Sequence, residues 1–64
     1  MSEALLKPAD VALLLGISEI TLKRMRLDGK GPAAVYLSAR TIRYHPGTVT
    51  EWIENNEEKN NENL

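Results

Sequence analysis

The chain contains no cysteine and no phenylalanine, one histidine and one tryptophan. Without cysteine, neither a disulfide framework nor a thiolate metal site can staple the fold. His45 alone would leave a zinc ion dependent on carboxylate or water for its other ligands, so no metal is expected. No nucleophile stands beside a base and no glycine-rich phosphate loop is present, so neither catalysis nor a cofactor is expected. Long apolar runs are missing as well. The longest, Val11 to Leu15, reaches only Ile17 even with Gly16 included, far short of the ~20 residues of a membrane span. The Met-Ser-Glu-Ala start lacks the pattern of a signal peptide, and the expected location is the cytoplasm.

What is there amounts to 64 residues, enough for one small domain with a thin core. The formal net charge is −1, which argues against a nucleic-acid partner until its distribution is considered. Between Lys23 and Arg43 stand six basic residues opposed only by Asp28, a local charge of +5. Residues 45–64 carry Lys59 against five glutamates, a local charge of −4. Phosphate contacts depend on the local field, so the basic stretch is the informative quantity. The segment from Asn55 onward holds all five asparagines and one apolar residue, Leu64, and reads as a disordered tail. The expected organisation is an extension over 1–4, a domain over 5–55 and a tail over 56–64.

Pro8 suits the first position of a helix running to Leu15, with Gly16 as its stop; Lys7, in the cap position, is a poor cap. Ser18 is a good cap for a second helix reaching about Leu27, with Glu19 in its first turn and Gly29 available to end it. Gly29-Lys30-Gly31-Pro32 marks a turn. Val35-Tyr36-Leu37 and Thr41-Ile42-Arg43-Tyr44 then read as a hairpin whose tip, Ser38-Ala39-Arg40, lacks the usual glycine, which leaves its turn type open. His45-Pro46-Gly47-Thr48 opens a third helix, with His45 a helix-start residue rather than a general base. Val49, Trp52 and Ile53 form its apolar stripe. The expected core is Val11, Leu15, Leu22, Met25, Tyr44, Val49, Trp52 and Ile53, with Trp52 its largest piece. The fold class is α+β, mostly α: a miniature winged helix-turn-helix of two helices, a β-hairpin wing and a C-terminal helix.

The run from Leu5 to Ser18, followed by Thr21-Leu22, resembles the opening of MerR-like winged-helix domains. Gly29-Lys30-Gly31-Pro32, Val35-Tyr36-Leu37, Ile42-Arg43-Tyr44 and Glu51-Trp52-Ile53 extend a closer resemblance to the small excisionase and AlpA-like regulators of phages and mobile elements. The resemblance covers about residues 5–54. It implies a recognition helix, Ser18 to Leu27, in the major groove of DNA and a wing, Leu37 to Arg43, against the adjacent minor groove. This sequence departs from the group's pattern at Ser38 and Ala39, where wing-tip glycines are usual, and at Lys7, where a small hydroxyl residue is usual.

Chemistry assigns the surface independently of the resemblance. Glu19, Ile20 and Lys23 fall where the N-terminal part of a recognition helix meets base edges: glutamate accepts from cytosine N4, lysine donates to guanine, isoleucine meets a thymine methyl. Ile20 has equal alternatives, packing on the first helix or standing singly on the surface. Ser18 and Thr21 let phosphate approach the helix N-terminus, although the main role of Ser18 is as a cap. Arg24 and Arg26 can reach the flanking backbone, and the same basic cluster on an arbitrary helix would be a solvated face. Ser38 and Arg40 at the hairpin tip are the expected wing contacts to DNA, Arg40 suiting a narrow A·T minor groove, and Lys30 and Arg43 add phosphate contacts.

The resulting expectation is a sequence-specific double-stranded DNA-binding protein of the excisionase type, a recombination directionality factor that bends DNA. Cooperative self-association on DNA and a recombinase or integrase partner accompany it. The alternatives are an AlpA-like transcriptional regulator, the DNA-binding domain of a terminase small subunit, or, from another class, a protein-interaction module docking a recombinase or polymerase.

Overall fold

A computed structural model describes residues 4–58. Its elements follow in the order α1 (Pro8–Leu15), α2 (Glu19–Leu27), β1 (Val35–Tyr36), β2 (Ile42–Arg43) and α3 (Pro46–Asn56). This is a small, mostly helical winged helix-turn-helix.

Local chemistry explains where each helix starts and stops. The Lys7 ammonium has no lone pair with which to cap α1. Asp10, on the first turn, instead accepts from the Lys7 backbone N–H at 3.4 Å, the carboxylate half of a capping box. Both α1 and α2 end in a Schellman motif. Ile17 N–H donates to Ala12 C=O at 3.0 Å with Gly16 at φ +72°, and Lys30 N–H donates to Met25 C=O at 2.9 Å with Gly29 at φ +71°. In both cases the left-handed conformation makes glycine the suitable residue.

The turn after α2 is packed against the helix it leaves. A Cβ on Gly31 would lie 3.3 Å from Met25 Cβ, and the following Pro32 is buried. The antiparallel hairpin pairs Val35 with Arg43 and Tyr36 with Ile42. A third backbone segment joins it. Leu6 N–H donates to Tyr44 C=O at 2.8 Å, and Tyr44 N–H donates to Leu6 C=O at 2.9 Å. The segment before α1 is thereby tied to the wing's outgoing strand.

The core consists of Val11, Ala12, Leu22, Tyr44 and Val49, with Leu6, Leu15, Ile17, Ala34 and Ile42 packed around it. Tyr44 is its largest fully buried side chain. The sequence expectation needs correction at the third helix. Trp52 is only half-buried and Ile53 is 41% exposed, whereas Val49 on the same stripe is buried. The stripe therefore leaves the core within one turn, because a core this thin spans little more than one turn of α3. Leu15 and Met25 are likewise half-buried, and Ala12 fills a position the expected core omitted.

The helix α3 includes Asn56, placed in the tail by composition. Residues 1–3 of the expected extension and 59–64 of the expected tail lie outside the described residues.

Candidate nucleic-acid interface

The short Gly16-Ile17 connection lets α2 start immediately after α1. Ser18 fixes that start: its Oγ accepts from the Thr21 N–H at 3.0 Å and donates to Thr21 Oγ1 at 2.9 Å. Capping is thus the role Ser18 visibly performs, and Glu19 sits beside it in the first turn, favourably placed against the helix dipole.

Further along α2, Ile20, Lys23, Arg24 and Leu27 are all exposed, and their i, i+3, i+4, i+7 spacing puts them on one outward face. Ile20 is 70% exposed, so it does not pack against α1. Leu27, which sequence reasoning left unassigned, is equally exposed at the far end of the same face. Its signal was the helical spacing from Ile20.

At the wing tip, Ser38 substitutes for the missing glycine. Its Oγ accepts from the N–H groups of Arg40 (3.3 Å) and Thr41 (3.2 Å) and donates to Thr41 Oγ1 at 2.9 Å. Leu37 N–H donates to Thr41 C=O at 2.9 Å and closes the loop. No described residue other than glycine takes a positive φ. A serine side chain thus satisfies a turn that glycine would satisfy through its backbone. Arg40 is left exposed at the end of the hairpin.

A groove of about 430 Å³ separates α2 from the wing. Glu19, Ile20, Lys23 and Arg26 line one wall, Ala39, Arg40 and Ile42 the other, and Tyr44 contributes to the floor. The structure therefore brings the N-terminal half of α2 and the wing tip to one concavity. Other expected contacts lie apart from it. Ile42 and Tyr44 line the groove, so strand alternation directs Arg43 to the opposite face of the hairpin. There its Nη1 donates to the Ile42 C=O at 2.8 Å. Lys30 is exposed in the turn beyond α2.

Arg26 differs from the other cations of α2. It is half-buried, its Nη1 donates to the Tyr36 hydroxyl at 2.6 Å, and its Cζ lies 5.5 Å from the Tyr36 ring centre. The distance is within cation–π range. Burial raises the Tyr44 hydroxyl above the ordinary tyrosine pKa, and the nearby Arg26 charge opposes that rise. Tyr36 was not among the expected site residues, and a partner ten positions from Arg26 leaves no short-range signal in the sequence.

Of the described helices, none is long and apolar enough to cross a membrane. Comparison with curated proteins finds no match. A helix-turn-helix domain model matches residues 5–57, nearly all of the described chain. That family includes small DNA-binding domains of the excisionase and AlpA-like kind and is typically non-enzymatic. The tight α1–α2 connection, the exposed outward face of α2 and this match agree, and the chain belongs to the helix-turn-helix domain family of sequence-specific DNA-binding proteins.

Proposed function

We propose that this protein is an excisionase-like factor of a phage or mobile element. It occupies double-stranded DNA with α2 in the major groove and the wing in the adjacent minor groove. By bending the duplex it assembles or blocks a recombinase complex. The observation that carries this reading is the shared groove, which supports simultaneous engagement by Lys23 on α2 and Arg40 on the wing. Glu19, Ile20 and Lys23 read base edges. Arg24 and Lys30, with Ser18 and Thr21 at the helix N-terminus, hold phosphate. Arg40 enters the minor groove and Arg43 reaches backbone from the hairpin's other face.

The cations Lys23, Arg24, Lys30, Arg40 and Arg43 imply a log–log salt slope of about −4 to −5. One short recognition helix reads few base pairs, so useful occupancy requires several molecules on neighbouring sites, with self-association on DNA.

Selection from a randomised duplex pool at two salt concentrations tests this reading. Short motifs repeated at about one helical turn, together with slowed migration of centrally bound duplexes, are the expected result. A single inverted repeat without bending would replace the excisionase role with that of a dimeric transcriptional regulator.

Leu13, 82% exposed on α1, and its exposed neighbour Leu14 favour a second reading, a protein-interaction module that docks a recombinase or polymerase. Absence of any enriched duplex would select it.

A further inference from the structure

The recognition helix and the wing are joined covalently only through the seven-residue connection 28–34, yet their separation decides whether both can engage adjacent grooves of one duplex. Backbone pairing holds the hairpin together but does not tie it to α2, whose Leu22 shares only the non-directional apolar core with Tyr44 and Ile42 at the base of the hairpin. Among the described residues, every side-chain hydrogen bond but one joins positions four or fewer apart. The exception is Arg26 Nη1 to Tyr36 Oη, from the last turn of α2 to β1.

We propose that Arg26 is a positioning residue rather than a DNA contact: by gripping Tyr36 it sets the distance between the recognition helix and the wing. This rests on the DNA-binding reading above and revises the expectation that Arg26 reaches the phosphate backbone.

Three features of the contact support the assignment. The bond is charge-assisted and short, and such bonds are roughly twice as strong as neutral ones. The cation–π distance of 5.5 Å adds a second attraction to the same ring. Arg26 is also half-buried, whereas Lys23 and Arg24 are exposed, as side chains available to phosphate are. A guanidinium already committed to a tyrosine would have to break both contacts to reach DNA.

The test compares Tyr36→Phe, Arg26→Met and the double variant on short duplexes with and without a central A·T tract. Tyr36→Phe removes only an exposed hydroxyl and so preserves the fold if Arg26→Met does not. Arg26→Met is expected to weaken binding to the A·T duplex about five- to tenfold and Tyr36→Phe, which keeps the cation–π contact, by less, with the double variant no weaker than Arg26→Met. The salt slope is expected to match that of the unmodified protein. In free protein, amide relaxation at residues 38–41 should show a more mobile wing in Tyr36→Phe.

A salt slope shallower by about one in Arg26→Met, with unchanged affinity in Tyr36→Phe, would overturn the proposal and return Arg26 to the phosphate contacts. So would an equally ordered wing in Tyr36→Phe. Failure of the unmodified protein to bind any duplex would instead overturn the DNA reading, because the relaxation measurement needs no DNA.

Discussion

Ser38 holds Thr41 across the wing tip with the same two hydrogen bonds by which Ser18 holds Thr21 at the head of α2. One Ser-x-x-Thr device starts a helix and, twenty residues later, closes a loop. The two copies should respond differently to the same change. Ser18→Ala removes an N-cap and should lower stability by about 1 kcal/mol, read as a lower unfolding midpoint. Ser38→Ala should leave that midpoint within about 0.5 kcal/mol while increasing wing motion, because the loop packs little against the core. Equal losses of stability would mean that the wing tip is part of the cooperative fold.

Arg40 projects from the loop that Ser38 orders. Its replacement by alanine should weaken binding chiefly on duplexes with a narrow A·T minor groove, by about tenfold. The measurement is a pair of titrations on A·T and G·C versions of one site. Equal losses on both would make Arg40 a phosphate contact.

Lys23 stands on the exposed face of α2 and lines the groove. Lys23→Ala should relax base preference at one position of the selected site, at a cost of about 1–3 kcal/mol on the preferred base. Repeating the duplex selection with the variant reads this directly. A uniform loss over all sequences would contradict a base-reading role.

Tyr44 makes stability sensitive to alkali. Its hydroxyl pKa is raised in the folded state, chiefly by burial, so the fold favours the neutral form. Its contribution is fully present below the unfolded tyrosine value of about 10 and is lost as pH rises through the higher folded value. As pH rises above about 10 the unfolding midpoint should therefore fall more steeply in the unmodified protein than in Tyr44→Phe, which keeps the ring. Parallel curves would assign the alkaline loss to other groups.

Helix limits were legible in the sequence because they depend on local chemistry: Pro8, Ser18 and Pro46 start helices, and Gly16 and Gly29 end them. The hairpin was legible from its two β-prone runs. What depended on distant parts of the chain was not. Periodicity places Trp52 and Ile53 on the buried stripe of α3 but does not say that the core ends beneath Val49. The backbone bridge from Leu6 to Tyr44 spans most of the domain and has no sequence signature. The same holds at the site. Lys23 and Arg40 follow from charge and position, whereas the partnership of Arg26 with Tyr36 emerges only when α2 and the hairpin are seen together. The tip at Ser38 is held by its side-chain oxygen, a contact for which Ser-x-x-Thr is the sequence signal.

The most direct test of the central claim is an NMR titration of the protein with the duplex enriched by selection, following every backbone amide. The account predicts the largest shifts at residues 18–24 and 38–41, with little change at Thr50, Glu51 and Glu54 on the exposed side of α3. Shifts concentrated around Leu13, Leu14 and α3, with α2 and the wing undisturbed, would contradict it.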